Sequence, residues 1–254
     1  MSTARIYEAV LKAAAASGRN DGFHSHLDVG AGSGKLAKLF QERFKTTTST
    51  CDYTDQLMKL PGQKVEIVNL NNQPFPYPDS SFDLVTATEV VEHLERYREV
   101  LRDLYRILKP GGVCILTTPN ILNLNSRLRF LWFGYWNLFG PLPVKHSALY
   151  STGGHINPVS YFYLAHALMD AGFASVNLTV DKYQRSAVAK LILLYLPILL
   201  LGKLAYRTER IKYHTIDREN APLVESMNSI PMLLGRTIVV SASKPLPEPL
   251  VAQI

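Results

Sequence analysis

The chain has 254 residues, 47% of them hydrophobic, 19% charged and 10% aromatic, with a formal net charge of +6. This length and apolar share exclude general disorder and suit one large α/β unit, or one domain with an insertion; the 15 Gly and 15 Pro are spread out, which excludes collagen-like and low-complexity chains. Two cysteines, Cys51 and Cys114, exclude a disulfide scaffold and a multi-cysteine zinc module, and both fall in strand-like stretches expected to bury reduced thiols in a cytosolic protein. Most basic residues are scattered, with one denser region after residue 200, so the sequence lacks the stripe or tail of a nucleic-acid binder and none is expected as a partner.

Residues 1–18 hold an alanine run interrupted by Glu8 and Lys12, which predicts a short amphipathic helix in place of the unbroken apolar centre of a signal peptide. An apolar run at 27–29 then meets a glycine turn and a helical stretch over 36–44, with Leu36, Ala37, Leu39 and Phe40 on its apolar side. Strands are predicted at 46–51, ending at Asp52, at 64–68 and at 82–87. A helix over 95–108, spaced by Val100, Leu101, Leu104 and Leu108, is stopped by Pro110-Gly111-Gly112, and a strand follows at 113–118. This alternation predicts a parallel sheet covered on both faces. Residues 121–149 read as aromatic and irregular, with Trp132 and Trp136. A helix is predicted over 158–171, closed by Gly172, then a strand over 174–180. Residues 187–206 are strongly apolar, 207–234 mixed and partly basic, and 236–243 a last β-branched strand. Pro245, Pro247 and Pro249 make a tail that cannot continue a sheet.

The central signal is Asp28-Val29-Gly30-Ala31-Gly32-Ser33-Gly34, between a strand and a helix. Glycines there let backbone pass close to a ligand and leave helix N-terminal N–H groups facing it. The spacing departs from a dinucleotide fingerprint, whose third glycine position is Lys35, and a Walker loop is excluded because Val29 and Leu36 stand where it needs Gly and Ser or Thr. Asp52 has a second reading as the N-cap of a helix over 54–60, and Asp83, at the start of a strand, reads as structural.

Together with Asp52, Asn69-Leu70-Asn71, the stretch Pro78-Asp79-Ser80-Ser81-Phe82-Asp83-Leu84-Val85, Glu89-Val90-Val91-Glu92-His93-Leu94 and Leu108-Lys109-Pro110-Gly111-Gly112, this turn resembles the class I S-adenosylmethionine-dependent methyltransferases, in the group holding ubiquinone-type and glycan-modifying members. Gly153-Gly154-His155-Ile156-Asn157-Pro158 looks like the glycan-type members. The resemblance implies a Rossmann-like, seven-stranded, mostly parallel sheet with helices on both faces, an antiparallel last strand and an apolar, aromatic lid. It implies one domain over 1–254, with core segments 24–120, 158–181 and 235–244 and lid segments 121–157 and 182–234. It further implies that S-adenosyl-L-methionine lies against Asp28, Gly30, Ala31, Gly32 and Gly34, with Asp52 and Tyr53 at the ribose, Asn69 and Leu70 near the adenine, and Thr88 and Glu89 at the end of the fourth strand. Asn69 replaces the Asp that the family often carries there; its carbonyl oxygen can still accept from an adenine amino group.

Methyl transfer from a sulfonium is an in-line displacement needing the acceptor about 3–3.5 Å from the methyl carbon, and a base when the acceptor is a hydroxyl. His93 and His155 are the candidate bases, since an imidazole takes a proton near neutral pH. No H-E-x-x-H spacing is present, so no metal is expected. The expected activity is methylation of oxygen on a glycan, lipid-linked or quinone-like acceptor, the alternatives being a non-catalytic cofactor-binding or scaffold protein and, disfavoured by the glycine spacing, a dehydrogenase. The apolar run at 191–201 is shorter than the about 20 residues of a membrane span, carries Pro197, and is followed by Arg207, Arg210 and Lys212. Docking on a membrane, burial in a lid or dimer interface, and a true span are the open readings, with a cytoplasmic setting that reaches a membrane's inner face through 187–212.

Overall fold

The structure is a computed structural model and describes residues 3–19, 22–142 and 154–247. Helix α1 (Ala4–Ala15) precedes β1 (Ser25–Val29), α2 (Lys35–Phe44), β2 (Thr47–Asp52), β3 (Val65–Ile67) and β4 (Phe82–Thr88). A single 3-10 turn (Val91–His93) leads to α3 (Tyr97–Ile107), β5 (Leu108–Pro119) and α4 (Leu124–Phe133). Then come α5 (Tyr161–Asp170), β6 (Ala174–Val180), the long α6 (Arg185–Thr208) with a π-turn (Glu209–Tyr213), α7 (Ala221–Ser226), α8 (Ile230–Leu234) and β7 (Thr237–Ser243).

The seven strands form one sheet in the order β3-β2-β1-β4-β5-β7-β6. All described pairings are parallel except those of β7, which runs antiparallel to both β5 and β6. From β1 the chain winds outward to β2 and β3, then returns past β1 to β4 and β5. That reversal opens a crevice at the carboxyl ends of β1 and β4, the position where open α/β sheets bind ligands. Both faces are covered. Ile6, Val10 and Leu11 of α1 and Leu36 and Phe40 of α2 bury one side against Leu84, Val113 and Ile115. Val100, Leu101, Leu104 and Ile107 of α3 and Leu164, Ala165 and Leu168 of α5 bury the other. Strand β4 is buried along its whole length, as a central parallel strand must be.

Asp83 is structural, as its position at a strand start suggested. Its buried carboxylate accepts from the backbone N–H groups of His24 and Ser25 (3.1 and 2.8 Å), from Ser25 Oγ (2.9 Å), and from Arg19 Nη2 and Lys109 Nζ (2.9 and 3.2 Å). The knot fixes the entrance of β1 beside β4. Burial pushes this carboxyl up, but those donors and cations outweigh it and hold it well below the usual carboxylate range.

Several elements differ from the sequence reading. Residues 124–133, read as irregular, form α4, whose N-cap Asn123 accepts from the Ser126 N–H at 3.0 Å and whose end is Gly134 in the left-handed region. No helix follows Asp52, so the N-cap reading of that residue is wrong; 53–60 is a series of turns. Helix α3 ends at Ile107, before Pro110, because Leu108 already pairs with Phe82 in the sheet. Pro197 lies inside α6 without ending it. Cys51 and Cys114 are free and buried. Residues 143–153, expected to form part of a lid and including Gly153, and the tail residue Pro249 lie outside the described residues.

Candidate active site

The glycine turn is fastened to the end of β2. Gly30 and Ala31 donate their N–H groups to the Cys51 carbonyl (2.9 and 3.3 Å), and the Asp52 carboxylate accepts from Gly32 N–H (2.8 Å) and from Tyr53 N–H (2.7 Å). Gly30, Gly32 and Gly34 all have φ between +49° and +75°, which only glycine adopts without strain. Their surroundings differ. A Cβ on Gly30 would meet Val90 Cγ2 at 2.5 Å, and one on Gly34 would meet Met58 Sδ at 2.6 Å and Leu60 Cβ at 2.9 Å. A Cβ on Gly32 would meet only the Gly30 carbonyl oxygen, at 4.0 Å. Gly32 therefore faces open space, and it is the position beside which a ligand can lie. Asp52 retains lone pairs beyond the two it uses, enough to accept from a vicinal diol.

Asp28 is held beneath this turn by a chain of side chains across the sheet. Thr46 Oγ1 lies 2.9 Å from Thr48 Oγ1, Thr48 Oγ1 lies 3.2 Å from His26 Nδ1, His26 Nε2 lies 2.9 Å from Thr86 Oγ1, and Thr86 Oγ1 donates to Asp28 Oδ1 at 2.9 Å. Because the Thr86 hydroxyl has one proton and gives it to Asp28, it accepts from His26, so the His26 proton sits on Nε2 and Nδ1 accepts from Thr48. Burial lowers His26 to about 3, keeping the ring neutral. Burial likewise raises Asp28 to about 7.

On the other side of the crevice, β4 ends at the buried Thr88, and Glu89 turns the chain in the left-handed region (φ +55°). The Glu89 N–H donates to both the carbonyl and Oγ1 of Thr117 on β5, each at 3.0 Å, and burial raises its carboxyl above the ordinary range. The 3-10 turn that follows presents Glu92 and His93. The loop 154–157 is laced to it: Ile156 and Asn157 donate backbone N–H groups to the Glu92 carbonyl (both 3.0 Å), Asn157 Nδ2 donates to the Leu94 carbonyl (2.9 Å), and His93 Nδ1 donates to the Gly154 carbonyl (2.9 Å). That lacing brings the two candidate bases together, with the His93 and His155 rings edge to face at 5.0 Å between centroids and Phe139 on the far side of His155 at 5.2 Å. Since the Gly154 carbonyl fixes the His93 proton on Nδ1, Nε2 is its basic nitrogen. Burial lowers both imidazoles; the neighbouring His93 lowers His155 further.

Glu92 was not singled out from the sequence. Its side chain is fully buried, neither carboxylate oxygen has a hydrogen-bond partner among the described residues, and burial raises it to about 8. The expectation of no metal rested on spacing along a single helix. Here Glu92, His93 and His155 each present one ligand atom, all within 4.8 Å of one another, a donor set a divalent ion accepts. Of the residues expected near an adenine, Asn69 Oδ1 already accepts from the Asn71 N–H (3.1 Å), closing a local turn, and Leu70 packs against the core. Asn71 Oδ1 accepts from the Glu95 N–H at 2.9 Å, tying this turn to the start of α3. Tyr53 lies exposed beyond the end of β2.

Sheet order, antiparallel β7 and the glycine turn beside an acid at the end of β2 define the Rossmann-like methyltransferase class. A methyltransferase-domain family profile matches residues 3–178, and the chain belongs to that family. It is similar to the demethylmenaquinone methyltransferase of Listeria welshimeri, 29% identical over 167 residues, covering 59% of this chain and 70% of that protein. It is also similar to the ubiquinone/menaquinone biosynthesis C-methyltransferase UbiE of Pseudoalteromonas translucida, 29% identical over 150 residues, covering 54% and 59%. In fold it resembles an S-adenosylmethionine-dependent methyltransferase from Archaeoglobus fulgidus (TM-score 0.60, 20% identity, 94% of this chain and 93% of the other). It also resembles phosphoethanolamine N-methyltransferase 2 of Haemonchus contortus, solved with S-adenosyl-L-methionine (TM-score 0.53, 16% identity, 94% and 52%). The protein is an S-adenosylmethionine-dependent methyltransferase.

Proposed function

We propose that the chain methylates a hydroxylated, quinone-like ring, and that His93 ionises that ring's hydroxyl. The observation that carries this reading is the pair of half-buried imidazoles, His93 just beyond the end of β4 and His155 packed on it, both lowered by burial and lying across the crevice from the open space at Gly32. The relatives named for menaquinone and ubiquinone chemistry support the acceptor class over a glycan.

The donor fits the residues present. Gly32 leaves room for it, the Asp52 carboxylate can accept from its ribose hydroxyls, Ala31, Tyr53, Asn69 and Leu70 follow β1, β2 and β3 on that side of the crevice, and Thr88 ends β4 on the other. S-adenosyl-L-methionine, when bound, supplies an electrophilic methyl carbon on a sulfonium. Everything else falls to this chain. Gly30 and Gly34 shape the turn, Asp28 supports it from below through Thr86, and Glu89 turns the chain out of β4 toward the acceptor side. His93 Nε2 removes the hydroxyl proton, leaving an oxyanion whose charge spreads onto the ring carbon beside it; either atom is then a nucleophile. His155 orients His93 and shares in covering it. General-base assistance of this kind contributes about 10²–10⁴-fold.

The test is transfer of a labelled methyl group from S-adenosyl-L-methionine to reduced demethylmenaquinone-type acceptors and, in parallel, to glycan extracts, with product NMR reporting the methylated atom. Label in the quinol is the expected result. Label only in the glycan fraction would overturn the acceptor class.

A further inference from the structure

Helix α6 carries a dense array of exposed apolar side chains. Of its side chains only that of Ala187 is buried, and Ile192, Leu193, Leu196 and Leu201 are 80%, 76%, 65% and 65% exposed. Such a surface in water is unfavourable in proportion to its area and marks an interaction site. The way the helix is attached decides how it can be used. Ala187, Leu191 and Ile198 pack on Leu124 of α4 and Leu233 and Leu234 of α8. One and two turns further, Gly202 backs onto the Asn228 amide, 2.8 Å from where a Cβ would stand, and the Tyr206 hydroxyl donates to Glu225 Oε1 at 3.3 Å. These five positions form one stripe at helical spacing. The helix is about 36 Å long and is held to the protein body by this one stripe, the rest of its surface being uncovered. A spanning helix has to leave the protein body to cross the bilayer; this one lies flat with its apolar side outward.

A second apolar surface adjoins it. Helix α4 packs against α6 and exposes Leu131, Trp132 and Phe133. Charge then identifies the occupant. Residues 185–213 carry Arg185, Lys190, Lys203, Arg207, Arg210 and Lys212 against the single acid Glu209. A second copy of the chain would bring this cationic surface against itself, whereas an anionic bilayer complements it, with basic side chains at headgroup level and Trp132 in the interfacial zone.

We propose that α6 and the exposed side of α4 together form an in-plane docking surface for an anionic lipid bilayer. The surface sits beside the active-site crevice: α4 starts just beyond the carboxyl end of β5, and Asn120 Nδ2, at that end, donates to the carbonyls of Met232 and Gly235 (2.8 and 2.9 Å), pinning α8 and with it α6 to the same edge of the sheet that carries the glycine turn. Docked in this way, the molecule faces the bilayer with the edge where the acceptor enters. The docking itself is independent of which acceptor is methylated.

The test is flotation of the full chain with vesicles of phosphatidylcholine mixed with phosphatidylglycerol, and with phosphatidylcholine alone. The wild-type protein is expected to float with the anionic vesicles, at least about 10-fold more than with neutral ones and less at high salt. The variant L193E/L196E/L201E alters only exposed positions; it is expected to keep its Tm and its affinity for S-adenosylhomocysteine while losing flotation. Bound protein is expected to be released by alkaline carbonate. Wild-type protein that ignores both vesicles overturns the proposal, as does a dimer in sedimentation equilibrium that the triple variant dissociates while neither protein floats. Retention in the membrane after carbonate overturns the in-plane placement in favour of a span.

Discussion

The Asp52 carboxylate and the Gly32 amide meet at 2.8 Å across the gap between the ends of β2 and β1. One oxygen therefore fixes the glycine turn while the other fixes the Tyr53 backbone, and each keeps a further lone pair. The two functions are inseparable, because moving the acid moves the turn. Asp52→Asn replaces one acceptor by a donor and sets it against an N–H group. A hydrogen bond to a charged group contributes about 1.5–3 kcal/mol, so the Kd for S-adenosylhomocysteine is expected to rise about 10–100-fold by calorimetry. An unchanged Kd would remove Asp52 from the binding site.

The three glycines of the turn are expected to separate by phenotype. Gly32→Ala adds a methyl group to open space and incurs the left-handed strain of an L-residue, about 1–2 kcal/mol. Its fold should persist, with cofactor affinity at least about 10-fold weaker because the methyl group occupies the space a ligand needs. Gly34→Ala incurs similar strain and also drives a methyl group onto Leu60 Cβ and Met58, adding about 1–3 kcal/mol of overpacking. Urea denaturation should therefore show the larger loss for Gly34→Ala. Equal loss of stability in both variants, with equal binding, would contradict an open approach at Gly32.

The strands and the glycine turn could be read in the sequence because their signals are local: short β-branched runs, a glycine cluster at a strand end, an acid closing the next strand. Helix α4 could not, because Leu124, Leu128, Phe130, Leu131, Trp132 and Phe133 place apolar groups all around it and leave no 3.6-residue period. Helices α7 and α8 are too short to show one. His93 and His155 were each legible as imidazoles near a loop, but their contact depends on hydrogen bonds between the 3-10 turn and the Gly154–Asn157 backbone, which no spacing encodes. Glu92 passed unnoticed for the same reason: an acid in an E-x-x-E-H run looks solvated until the fold buries it.

Loss of the His93 imidazole should strike turnover and leave donor binding alone, since its contacts are Gly154 and His155 and not the glycine turn. His93→Ala is expected to lower kcat for the quinol-type acceptor about 10²–10⁴-fold, with calorimetric Kd for S-adenosylhomocysteine unchanged within about 2-fold. His155→Ala is expected to have a smaller effect on kcat, because it acts by positioning its neighbour. Equal kcat for wild type and His93→Ala would assign the proton to another group.

Acid should unfold the protein partly through His26. The ring is buried against Phe40, with centroids 4.3 Å apart, is hydrogen-bonded at both nitrogens, and has its pKa lowered by burial from 6.5 to about 3. The unfolded chain takes up a proton on this residue below about pH 6.5, while the folded chain does not until about pH 3. The stability it contributes at neutral pH is therefore lost as pH falls through that window, at up to about 1.4 kcal/mol per pH unit. Asp28, reached through Thr86 and raised to about 7, works in the opposite sense, since its folded form takes up a proton first. His26→Gln keeps a neutral hydrogen-bonding side chain but cannot titrate, and Asp28 is present in both proteins. The difference in urea unfolding free energy between wild type and His26→Gln should thus shrink steadily from pH 6.5 downward; a difference independent of pH would show that the folded ring takes up its proton as readily as the unfolded one.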